Sequence, residues 1–102
     1  MSNSVKYKWV NNTIAFIENV RINGRNVAVA ADVDPNIRRV LSDDDLYRLI
    51  IETAIENDQC GAVLGEPHPI IKYNTRFRAT GYRNLNDPNT ISVFVRHAPF
   101  ED

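Results

Sequence analysis

The chain has 102 residues, 43% hydrophobic and 25% charged, with 12 Lys plus Arg against 13 Asp plus Glu and a formal net charge of −1. This length accommodates one domain around one core, and the composition excludes a disordered chain or a fibrous repeat. Near-neutral charge also excludes a protein that coats nucleic acid by global attraction, so any site for a polyanion has to be local. The single cysteine, Cys60, has no intramolecular disulfide partner, and MSNSVKYKWV lacks the apolar run of a signal peptide. No stretch approaches the roughly 18 apolar residues of a membrane span, and a cytoplasmic protein without membrane attachment is expected.

In KYKW, Tyr7 and Trp9 alternate with lysines and are expected to dock a terminal strand onto the core. Thr13 to Asp34 then reads as a hairpin, because Asn23-Gly24 between β-branched runs supplies two residues that tolerate positive φ. A two-residue loop sets Ile22 opposite Arg25, Val20 opposite Val27 and Phe16 opposite Ala31. One face then carries Ile14, Phe16, Val20 and Ile22 with Val27, Val29, Ala31 and Val33. Glu18 is the exception on that apolar face, opposite Val29; there it is either an edge or ion-paired carboxylate or a functional acid with raised pKa.

Ser42 followed by Asp43, Asp44 and Asp45 predicts a helix start, with the hydroxyl as cap, the acids complementing the helix dipole, and Leu41 and Leu46 at staple spacing. The three aspartates need no metal to explain them. The helix is predicted from about Asp43 to Asn57, with a terminator at or just before Gly61. Its apolar residues, from Leu46 to Ile55, cover more than half of its circumference and leave Arg48, Glu52 and Glu56 as the polar side. The excess calls for cover by the CGAVLGEPHPI segment or by a second subunit, and a homo-oligomer through the helix is expected.

After a Gly- and Pro-containing connector, IIKYNTRFRATGY and TISVFVRH alternate with period two, their odd positions apolar. Ile71 to Thr80 are expected to pair with Thr90 to His97. Asp-Pro-Asn occurs at Asp34 and again at Asp87, as ordinary turn chemistry. The expected architecture is one α+β domain over residues 1–102: an antiparallel sheet of about four or five strands with one main helix on one face, in the order β-β-α-β-β.

The segment KYNTRFRATGYR holds four cations and three aromatics, and no acid occurs between Pro67 and Asn86. If the last two strands are neighbours, Lys72, Asn74, Arg76, Arg78, Phe94 and Arg96 share the polar face, and Tyr82 and Arg83 extend it. Guanidinium forks bind phosphate or carboxylate, amides supply directional contacts, and an exposed aromatic can stack on a base. Such a face is otherwise simply solvated. Cys60, His68, His97, Glu18 and Glu66 match no nucleophile or metal spacing, so no catalytic residue, metal or cofactor is assigned. The expectation is a small non-catalytic binding or inhibitor protein for an anionic ligand: a nucleotide, a nucleic acid such as RNA, or an acidic protein surface. The alternative is a small metal-independent ribonuclease using Arg76, Arg78, Tyr82, His68 and His97.

Overall fold

The computed structural model describes residues 5–61, 64–71 and 76–97. Three strands open the chain, β1 (Lys6–Trp9), β2 (Ile14–Ile22) and β3 (Arg25–Val33). A single 3-10 turn (Ile37–Arg39) leads into helix α1 (Asp43–Gln59), and β4 (His68–Ile71), β5 (Phe77–Arg83) and β6 (Thr90–His97) follow. They form one six-stranded sheet in the order β1-β2-β3-β6-β5-β4. All neighbours are antiparallel except β3 and β6, which run parallel. The α+β class stands, with one α-helix among the described residues.

The sheet is thus larger than the four or five strands expected, and mixed where a purely antiparallel one was expected. Two strands account for the size. KYKW pairs fully with β2, and the run expected to be one strand from Ile71 to Thr80 is two, since Ile70 lies opposite Ala79 and the chain must reverse between them. Parity changes at that reversal: even-numbered Ile70 is buried in β4, whereas odd-numbered Phe77 and Ala79 are buried in β5. The mixed character comes from the crossover through α1, which returns the chain so that β6 enters beside β3 in the same direction. A period-two pattern is the same for parallel and antiparallel neighbours, which is why it could not disclose this pairing.

Asn23 and Gly24 take φ of 53° and 77°, and the expected pairs Ile22–Arg25 and Val20–Val27 form. Beyond them the register shifts between Ile17 and Val20: Ala15 lies opposite Ala31, Phe16 opposite Ala30 and Ile17 opposite Val29. Asn19, with φ of 65°, sits in this bulge, and asparagine is among the few side chains that tolerate the left-handed region. One extra residue turns the rest of β2 over. Ala15 and Ile17 therefore enter the core in place of Ile14 and Phe16, and Glu18, expected on the apolar face, is exposed opposite Lys6.

Helix α1 begins as expected, the Asp45 backbone N–H donating to Ser42 Oγ at 3.2 Å. It ends two residues later than expected, with Cys60 as C-cap and Gly61 at φ 67°. Leu46, Leu49, Ile50 and Ala54 are fully buried in one cluster with Ile17, Val29, Ile91 and Val93. Two polar helix residues share that burial: Thr53 donates its hydroxyl to the Leu49 carbonyl at 2.7 Å, and Asn57 Nδ2 donates to the Gly81 carbonyl. Gly81 permits this approach, since a Cβ there would lie 3.3 Å from both Asn57 Nδ2 and the Ser92 carbonyl oxygen. Part of the helix's wide apolar surface is covered from within the chain. Tyr7 stacks on Tyr47 with ring centroids 4.2 Å apart, and Trp9 lies against the same ring.

Candidate functional site

Because α1 packs on one face of the sheet, alternate residues of every strand point to the other face, which no described element covers. The paired positions define its rows. Arg78 lies opposite Arg96, Thr80 opposite Phe94 and Tyr82 opposite Ser92 on β5 and β6. Across the parallel seam Phe94 neighbours Asp32, Ser92 neighbours Ala30 and Thr90 neighbours Ala28. On β2, Ile14 and Phe16 complete the rows of Asp32 and Ala30.

Four of the eight expected ligand-binding residues, Arg78, Tyr82, Phe94 and Arg96, meet on this open face. Tyr82 and Phe94 stack with centroids 5.7 Å apart and planes 15° from parallel, and the Arg96 guanidinium lies 5.8 Å from the Phe94 ring centroid. Two guanidinium groups thus stand side by side on antiparallel strands, an arrangement that suits a phosphate or carboxylate. Arg76 stands just before β5, exposed, with its guanidinium 5.9 Å from the Phe77 ring. Lys72 and Asn74 lie outside the described residues.

Arg83 turns to the helix side. There it pairs with Asp58, near the end of α1, and Arg25 pairs with the same carboxylate at 2.8 Å. Asn23 Nδ2 also donates to Asp58, so one acid ties the hairpin turn, β3, the helix end and the end of β5 together. The Asp58 side chain is only 4% exposed, against 22% for Arg83 and 41% for Arg25. Burial alone would raise its pKa, but the hydrogen bond and charge of Arg83, the Asn23 amide and the Arg25 charge outweigh it and hold the carboxyl below the ordinary aspartate value. An acid at a helix C-terminus opposes the dipole, and two arginines offset that too. Nothing in the local pattern around Asp58 distinguishes it from a solvated helix acid; only the folded chain brings its partners together.

Both histidines also belong to the helix side: His97 lies opposite Phe77 and His68 opposite Gly81. His97 Nδ1 is 3.3 Å from Asp34 Oδ2. Cys60 is exposed at the helix end, and among the described residues no three His, Cys, Asp or Glu side chains gather as a metal-binding group. The two Asp-Pro-Asn turns are built alike, Asp34 and Asp87 each accepting from the backbone N–H of the asparagine two positions on. No described helix is long and apolar enough to cross a membrane.

Asp32 lies on the polar side of the hairpin as its alternation predicts, but sequence reasoning missed Phe16, which the bulge turns to this face, and Ala28 and Ala30, which the parallel seam sets beside β6; neither bulge nor seam carries a period of its own. The misfit of Glu18 was the one available signal. Compared with known proteins, the chain matches no family model, no curated protein and no solved structure.

Proposed function

We propose that this is a small non-catalytic binding or inhibitor protein that offers the open face of β5 and β6 to an anionic ligand: a nucleotide, a nucleic acid or an acidic protein surface. The observation that carries the reading is the adjacency of the Arg78–Arg96 pair and the Tyr82–Phe94 stack on an uncovered sheet face. A guanidinium pair binds phosphate or carboxylate, and aromatic faces beside it accept a flat ring. The alternative of a metal-independent ribonuclease needs proton carriers beside the arginines; the strand register leaves Tyr82 on that face and turns His68 and His97 away from it, which favours the binding reading.

Thermal melting with nucleotides, short RNAs and DNAs and acidic peptides, at low and high salt, tests the proposal. A stabilising shift that shrinks with salt and disappears in Arg78→Ala/Arg96→Ala is expected. An equal shift in wild type and the double variant would sink it, as would no shift with any member of the panel.

A further inference from the structure

The open face is not flat. Along the parallel seam its floor is made of small side chains, Ala28 and Ala30 from β3 with Thr90 and Ser92 from β6. Phe16 stands on one side of that floor and Tyr82 on the other, in a single row Phe16–Ala30–Ser92–Tyr82. Neighbouring strands are about 4.8 Å apart, so the two aromatic walls rise from backbones roughly 14 Å apart. Two cavities follow this seam. One of about 210 Å³ lies over Ala30, Ser92 and Asp32 between Ile14 and the Tyr82–Phe94 stack. The other, about 300 Å³, lies over Ala28 and Thr90 beside Phe16 and is rimmed by Glu18, Asn26 and Asn89.

The chemistry changes in a fixed order along the seam. Arg78 and Arg96 form the first row, Asp32 and Phe94 the second, the Ala30–Ser92 floor the third, and amides with carboxylates close the far end. Rows on one face are two residues, or about 6.6 Å, apart, so the floor lies roughly 13 Å from the arginine backbones, and the Arg96 guanidinium, 5.8 Å from the Phe94 ring of the second row, shortens the span a phosphate has to bridge. That sequence, cation, hydroxyl acceptor, flat apolar bed and hydrogen-bonding rim, complements phosphate, ribose, base face and base edge in turn. An uninterrupted polyanion fits it poorly, because Asp32, Glu18 and Asp87 would face successive phosphates.

We propose, resting on the reading above, that the ligand of the open face is a single ribonucleotide with a 5′-phosphate, lying along the β3–β6 seam. Its phosphate sits between Arg78 and Arg96, its ribose hydroxyls donate to Asp32, and its base lies on Ala30 and Ser92 between Phe16 and Tyr82. Guanidinium forks suit the phosphate, and a carboxylate accepting from ribose hydroxyls favours ribose over deoxyribose.

The test is titration of the ¹⁵N-labelled chain with each of the four common ribonucleoside 5′-monophosphates, their 2′-deoxy counterparts, inorganic phosphate, a hexanucleotide and an oligoglutamate peptide. At least one ribonucleotide should shift the amides of Ala30 and Ser92 and bind about tenfold or more tightly than inorganic phosphate. Ala30→Leu and, independently, Ser92→Leu should each lower ribonucleotide affinity to about that of inorganic phosphate. Asp32→Asn should remove the preference over the deoxy compound. If the hexanucleotide or the peptide binds in an Arg78- and Arg96-dependent manner and no monophosphate exceeds inorganic phosphate, the ribonucleotide assignment is overturned while the anion-binding reading stands. If no probe perturbs the face, both are overturned.

Discussion

The two faces of the sheet draw apolar residues from the same strands and put them to different use. On the helix side, Ile17, Val29, Ile91 and Val93 are sealed by α1 and fully buried; on the other side, Phe16, Ala30, Ser92 and Phe94 stay half-buried. The covered face mixes branched side chains with Ala15, Ala31, Ala79 and Phe77, and α1 fills the space above them, which is how a sheet meets a helix without voids. In the open face, small residues line the centre and large ones stand beside them. An apolar sheet face therefore becomes core only where a second layer covers it, and a hollow in the uncovered layer has the form of a binding surface.

Truncation should separate the faces most strongly. We expect Ile17→Ala to lower unfolding free energy by about 2–5 kcal/mol, as for other fully buried aliphatic side chains, and Phe16→Ala by less than about 1.5 kcal/mol although it removes a larger group. Urea unfolding of the two variants checks this. The reverse order would restore the unbulged register, in which Phe16 is core and Ile17 is not.

A second effect, of intermediate size, belongs to the covered side alone. Asp58→Ala should cost about 1–3 kcal/mol at neutral pH, a range set below that of a sealed ion pair because Arg25 and Arg83 keep contact with solvent. Since folding lowers the Asp58 pKa, its contribution is fully present above the unfolded value of about 3.9 and is lost as pH falls through the folded value. Stability measured from pH 6 downward should accordingly fall less steeply below about pH 4 in Asp58→Asn than in wild type. Parallel curves would remove the acid's role as a tie.

The smallest change is expected at the bulge. Asn19→Gly relieves a positive φ at the bulge and should alter stability by no more than about 0.5 kcal/mol, leaving the pairing of Phe16 with Ala30 intact by NMR. A large loss would mean that the Asn19 side chain, rather than its backbone, holds the bulge.

Much of the fold could be read locally. Asn23-Gly24, the Ser42–Asp45 cap and the alternation in β6 are short-range codes, and each produced the element expected, while the run expected as one strand from Ile71 to Thr80 gave a β5 confined to Phe77–Arg83. What escaped reading were features in which distant segments decide. The Asn19 bulge was invisible except through Glu18, whose charge on an otherwise apolar face was the mark of an extra residue. The break between β4 and β5 lay hidden within an alternation whose parity changes at the turn. Of the candidate site, the arginines and aromatics of β5 and β6 were legible from their strands alone. Arg83 was expected in the site although the odd parity of β5 puts it on the apolar side, and its role depends on Asp58, 25 positions earlier.

The parallel seam also orders events in time. Apart from it, strand pairing in this chain is local: β1, β2 and β3 form a meander at one end, and β4, β5 and β6 form another. Among the described strands the β3–β6 pairing alone joins them, bringing together residues such as Val29 and Ile91 that are 62 positions apart. Closing so long a loop carries an entropic cost that shorter pairings escape, and contacts of high sequence separation slow folding. The two meanders are thus expected to form early and to meet late, with α1 as the layer both require. The hollow along the seam does not exist in either half, so a ligand that occupies it would report, in a refolding experiment, the moment at which the two ends of the chain dock.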